Sequence, residues 1–204
     1  EDPKPARSRL TLADAARLPG RYWLIVGLGA AFTLARFSEA FLVLRAQSVG
    51  VAMGMVPAVM VLMNLVYAGC AYPAGAAADR HPARWLLFAG LVILVGADVV
   101  LALAARPWVA FLGAGLWGLH LACTQGLLTK LVADTAPVEL RGTAFGVTNL
   151  VSGVALLLAS VIAGWLWSTA GPAATFAAGA AFAGVAAAGL LLVRPRARRT
   201  VTAG

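Results

Sequence analysis

Charge is what this chain lacks most. Asp, Glu, Lys and Arg together make up 12% of its 204 residues, and only 8 of them are acidic. A soluble domain carries about 25% charged residues, so this chain does not have enough hydrated surface for its length. Cysteine is almost missing: Cys70 and Cys123 show no paired spacing, which argues against a disulfide framework or a thiolate metal site and leaves each as a small apolar side chain. Histidine is limited to His81 and His120, and axial haem ligation would want two at facing depths, whereas His81 falls in a joint between apolar segments. Ser152, followed by Gly153, lacks a Gly-x-Ser-x-Gly setting, so its coexistence with His120 does not make a hydrolase. Nothing here assembles an enzyme site, a catalytic residue, a metal site or a cofactor.

Apolar residues are abundant, at 61% of the chain. A membrane-spanning helix needs about 20 apolar residues, and six segments qualify, near 22–46, 51–74, 85–105, 108–132, 143–167 and 172–193. The expected fold is therefore an all-α integral membrane bundle (21–193), with a polar linker before it (1–20) and a basic tail after it (194–204). Thr11 and Asp14 form a weak capping box that allows a short interfacial helix in the linker. The first residue is Glu1, not Met, and we expect a piece of a longer protein.

The net charge of +8 would suggest nucleic acid in a soluble protein, but its placement points to membrane topology and away from a nucleic-acid partner. Lys4, Arg7, Arg9, Arg17 and Arg21 precede the first segment, and Arg80 and Arg84 separate the second and third. Lys130 and Arg141 flank the fourth joint, and Arg194, Arg196, Arg198 and Arg199 follow the last segment. Only Arg45 and Arg106 fall at the opposite ends. Because cytoplasmic loops collect Lys and Arg, both termini are expected in the cytoplasm, in a bacterial inner membrane, with Ser168 and Thr169 outside.

Polar residues inside the segments are costly, and so are candidates for function. Counted from Trp23 at about 1.5 Å per residue, Arg36 and Glu39 lie about 20 and 24 Å into the first segment, and at helical spacing they would share a face and neutralise each other. Asp98 has no basic residue within a turn and is a candidate for proton exchange, as is His120. Asn64, Tyr67 and Asn149 are candidates to line the same cavity. Small residues at Gly142 and Gly146, and at Ala180, Gly184 and Ala188, suggest close helix packing.

One short joint carries an unusual density of charge: "GAAADRHPAR" at 75–84. It resembles the signature loop of the major facilitator superfamily, Gly-x-Leu-Ala-Asp-Arg-x-Gly-Arg-Arg/Lys, found between the second and third helices of each six-helix half. Gly75, Ala78, Asp79, Arg80 and Arg84 match, whereas Ala77, Pro82 and Ala83 depart from the pattern. The stretch 136–167 resembles the eleventh helix of bacterial facilitators, which often begins Pro-x-x-x-Arg-Gly. The resemblance implies helices seven to twelve of a twelve-helix secondary transporter that moves a small solute by alternating access, with proton coupling. It also implies two inverted three-helix repeats and a gate in which Asp79 and Arg141 face the opposite half. The implied partners are the lipid bilayer, the small-molecule solute, and either the missing N-terminal half or a second copy as a dimer.

The repeat has a trace in the sequence itself. Placing Gly27-Leu-Gly29 over Gly113-Ala-Gly115 sets Glu39 over Gln125 without a gap, and repeat-equivalent polar positions are where a shared binding site is expected. A protein that only anchors or assembles in the membrane is the alternative reading. It leaves Arg36, Glu39 and Asp98 without a purpose.

Overall fold

The computed structural model describes residues 15–192, and these contain helices and turns but no strand. The linker residues 1–14, with most of the interfacial helix suggested there, and the basic tail at 194–204 lie outside the described residues.

Six helices follow in order: α1 (Gly20–Leu34), α2 (Ala40–Ser48), α3 (Val56–Arg80), α4 (Ala83–Ala102), α5 (Pro107–Thr135) and α6 (Arg141–Leu192). Prolines mark several starts. Pro19 precedes α1, Pro82 caps α4, and Pro57 and Pro107 sit in the first turns of α3 and α5, where the missing N–H has no helical partner to lose. Pro57 therefore does not bend its helix.

Among the described residues, four helices are long and apolar enough to cross a membrane: Met53–Arg80, Ala83–Ala102, Pro107–Thr135 and Val138–Leu191. The last is not straight. At Gly171 the backbone takes φ 86° and ψ 175°, a combination open essentially to glycine alone, and Pro172 starts a second arm. The helix thus divides into arms 141–170 and 172–192.

The expected continuous span at 22–46 is interrupted. Residues 35–39 leave the helix, separating α1 from α2, and neither piece alone reaches across about 30 Å of hydrocarbon. No proline or glycine forces this break; packing accounts for it. Phe37 turns into the core, its ring 5.2 Å from that of Phe41, 5.4 Å from Trp117 and 5.3 Å from Phe176. Polar groups freed by the break find substitutes: the Ser38 amide donates to Ser160 Oγ at 3.2 Å and the Ala40 amide to Ser38 Oγ at 3.3 Å.

A second correction concerns the charged joint. The second segment was expected to end near Pro73, but α3 continues through that proline to Arg80, so Gly75, Asp79 and Arg80 belong to its last turns and Arg84 to the first turn of α4. The connection itself is His81-Pro82. Proline inside a membrane helix is tolerated where neighbouring groups take up the freed backbone bonds.

The centre of the bundle is α5, packed against both α3 and α4, while α4 also packs on α6 and α1 lies against α6 and α5. The core is apolar and aromatic, with Trp117, Phe176, Leu91 and Leu94 fully buried. The closest approach is at Gly118: a Cβ there would run into the carbonyl of Met63, so α3 and α5 meet backbone to backbone. By contrast, a Cβ at Gly142, Gly146 or Gly184 would meet nothing within 4 Å, and Gly142 and Gly146 are exposed. At these three glycines the close helix approach expected from small-residue spacing is thus not made among the described residues. Many large apolar side chains, among them Leu24, Leu65, Trp108, Leu150 and Trp165, face outward, which is unfavourable in water and favourable against lipid.

Candidate solute cavity and charged helix ends

A cavity of about 290 Å³ opens between α1, α5 and the first arm of α6. Arg36 enters it from the break after α1, Gln125 from α5, and Asn149 and Ser152 from α6. Their surroundings separate two kinds of polar group. The threonines are already satisfied within the protein: Thr33 Oγ1 donates to Gly29 O at 2.9 Å, Thr129 Oγ1 to Gln125 O at 2.9 Å, and Thr148 Oγ1 lies 3.1 Å from the hydroxyl of Tyr22. That Tyr22 hydroxyl donates to Ala144 O at 2.8 Å. The side chains of Arg36, Gln125, Asn149 and Ser152 make no hydrogen bond or ion pair among the described residues. Four polar side chains are thus presented to one space without protein partners. Ile25, Leu128, Val132, Phe145 and Leu156 supply its apolar wall.

Beside this cavity is a second, of about 30 Å³, sharing Arg36 and Gln125 and bounded by His120. His120 is buried, and its Nδ1 lies 2.8 Å from Gly90 O. A carbonyl only accepts, so Nδ1 carries the hydrogen. Nε2 has no protein partner among the described residues. The small cavity that His120 bounds has room for a water.

The other sequence candidates lie elsewhere. Glu39 precedes the first turn of α2 and forms no ion pair with Arg36 within 4.0 Å among the described residues, because the break removes the helical spacing that would have joined them. Asp98 is fully buried on α4, both carboxyl oxygens unpartnered, with Oδ2 beside Gly179. It does not line the polar cavity. Asn64 is exposed on α3 and donates to Met60 O at 2.8 Å, one turn back in its own helix. Tyr67 lines a separate cavity of about 300 Å³ with Gly75, Asp79, Cys123 and Lys130. Asn64, Tyr67 and Asn149 therefore do not share a space, contrary to the sequence expectation: each lines a different cavity.

At the ends of α3 and α5, Lys130 Nζ donates to Asp79 Oδ1 at 2.5 Å. Arg80 and Arg84, the cations nearest Asp79 in the sequence, are not its partners. Instead Arg80 is exposed, and Arg84 donates through Nη2 to Leu191 O with its guanidinium 6.0 Å from the Trp85 ring. Arg141 is exposed at the start of α6. Sequence reasoning missed Lys130 as a partner and Ser152 as a lining residue. The signal for Lys130 was the parallel run of α3 and α5, which only the fold supplies.

Long apolar helices around a polar, unpaired cavity define a helical membrane protein. Residues 24–204 match the Major Facilitator Superfamily, and the chain belongs to that family of membrane transporters. It is similar to an uncharacterized MFS-type transporter of Methanocaldococcus jannaschii, 30% identical over 95% of this chain and 50% of the relative. It is also similar to the multidrug resistance protein MdtH of Yersinia enterocolitica, 25% identical over 77% of this chain and 39% of that protein, and to MdtH of Yersinia pestis, 26% identical over the same shares. The chain spans half or less of the length of these relatives.

Proposed function

We propose that this chain is the C-terminal six-helix half of a secondary transporter that moves a small organic solute by alternating access, coupled to protons. In this reading α1 and α2 together make one crossing, α3, α4 and α5 one each, and the two arms of α6 the last two, arranged as two inverted triplets. Both termini lie in the cytoplasm of a bacterial inner membrane. The other half of the transporter, or a second copy of the chain, covers the exposed face of the cavity.

The observation that carries the proposal is the set of unpartnered polar side chains in one cavity: Arg36, Gln125, Asn149 and Ser152. Polar groups at membrane depth that bond nothing in the protein are unfavourable unless they serve a ligand or a water-filled path. A drug-sized solute is supported by the names of the MdtH relatives. His120 and Asp98 are the proton candidates, with His120 next to the solute residues and Asp98 apart from them. Glu39, Asn64 and Tyr67 belong to the wider path. Gly75, Asp79, Arg80, Arg84 and Arg141 form the charged gate at the cytoplasmic end.

Labelling from each side of the membrane tests this without knowledge of the solute. In the full-length protein with Cys70→Ser and Cys123→Ser, Ser152→Cys should react with an impermeant maleimide from both sides, in proportions that change when a proton gradient is imposed. Reaction from one side alone under every condition would overturn alternating access.

A further inference from the structure

We propose that the solute is an organic anion with an apolar body, and that its carboxylate, or a group of the same charge and shape, docks on Arg36. The inference rests on the transport reading above and names its substrate class.

The reasoning starts from the guanidinium. Arginine does not lose its charge in proteins, so a guanidinium at membrane depth needs an anion or extensive solvation. Among the described residues, no Asp or Glu lines the polar cavity. Of the nearby acids, Glu39 acts on Arg36 only from beyond ion-pair distance, Asp98 lies beside Gly179, and Asp79 is engaged by Lys130. Among the described residues the guanidinium therefore has no carboxylate in direct contact within the cavity.

The remaining groups fit the same ligand. Gln125 and Asn149 each bring an amide N–H pair and Ser152 a hydroxyl, so the cavity can surround an oxyanion with donors after the planar fork of Arg36 has taken it. A solute cation would find no carboxylate there. A purely neutral solute would leave the guanidinium unpaired. Leu128, Val132 and Phe145 provide a wall for an apolar body, and a space of about 290 Å³ holds a small organic molecule.

The test uses the full-length protein in detergent and a defined panel: benzoate, salicylate, naphthoate and deoxycholate, each beside its amide, together with benzylamine and a lipophilic phosphonium as cations. Thermal stabilisation is read for the native protein, Arg36→Gln and Arg36→Lys. Carboxylates are expected to stabilise the native protein while their amides and the cations do not. Apparent affinity should fall about tenfold to a hundredfold in Arg36→Gln, the range expected for losing a charged hydrogen-bonded contact, and recover in part in Arg36→Lys. Three results would overturn the proposal: stabilisation by amides or cations equal to that by carboxylates, an undiminished carboxylate response in Arg36→Gln, or no response to any carboxylate. Two-sided labelling of Ser152→Cys in the same preparations separates the outcomes. If labelling persists, the transport reading stands and only the anion assignment falls; if it is lost from one side, the transport reading falls as well.

Discussion

Lys130 on α5 reaches Asp79 on α3 with its Nζ 2.5 Å from Oδ1, joining the ends of two helices that run side by side. Both side chains are at least half exposed, so the pair adds little to stability. Its interest is competition. If Asp79 also serves the opposite half of the transporter, Lys130 holds it when that contact is broken. Asp79→Asn should then leave expression and melting unchanged but raise the reactivity of Ser152→Cys from the cytoplasmic side. Lys130→Met, by freeing Asp79, should lower it. Equal reactivity in both variants and the parent would reduce the pair to a surface contact.

Gly118 allows α3 and α5 to touch at the carbonyl of Met63. Adding a side chain there forces the helices apart, and overpacking of this kind costs about 1–3 kcal/mol. Gly118→Val should therefore lower the melting temperature in detergent by several degrees. Gly126→Ala, where a Cβ meets nothing within 4 Å, is the matched control and should be close to neutral.

Arg45 forms a clamp on the far end of α4. Its Nε donates to Leu101 O at 2.8 Å, and its Nη2 to Ala102 O at 3.1 Å and Ala104 O at 2.8 Å. One fork thus satisfies carbonyls that the end of a helix leaves open. Arg45→Gln should cost about 2–4 kcal/mol, because several charged bonds are lost together. Arg45→Lys should recover only part of this, since an ammonium lacks the fork. A melting curve on both variants checks the order.

Asp98 presents the opposite situation, a buried carboxyl with no bond to lose. Asp98→Ala is expected to melt no lower than the parent, since it removes polar atoms whose burial is uncompensated. A large loss of stability would mean that the carboxyl has a partner in the assembled protein. If the variant folds and its Ser152→Cys labelling no longer responds to a proton gradient, Asp98 belongs to the proton path. If the response is intact, that role falls to His120 or another group.

The all-helical class and the family were legible because both depend on local chemistry: long apolar runs, and Asp79-Arg80 at a fixed distance from Gly75. The break after α1 was not legible. Nothing in Arg36-Phe37-Ser38-Glu39 ends a helix by itself; the aromatic rings of Trp117 and Phe176, far along the chain, draw Phe37 inward. The same break undid the expected Arg36–Glu39 pairing, which assumed helical spacing. The glycine pattern misled for a related reason. A small residue shows that a helix can be approached, whereas the choice of Gly118 over Gly142 depends on which faces meet. The cavity was legible in part: Arg36, Gln125 and Asn149 were visible as polar residues in apolar segments, but their separation from Asn64, Tyr67 and Asp98 required the packing.

The turn at Gly171 bears on how such a chain is made. From Gly142 to Val193 there is no charged residue, so both arms of α6 leave the ribosome as one uninterrupted apolar stretch. No charge between them instructs the translocon where to stop one arm and begin the next. On the proposed topology, what divides them is a single backbone conformation at Gly171, φ 86°, followed by Pro172. In that proposed topology the two arms enter the bilayer together as a hairpin, and the glycine acts as the punctuation mark of membrane insertion.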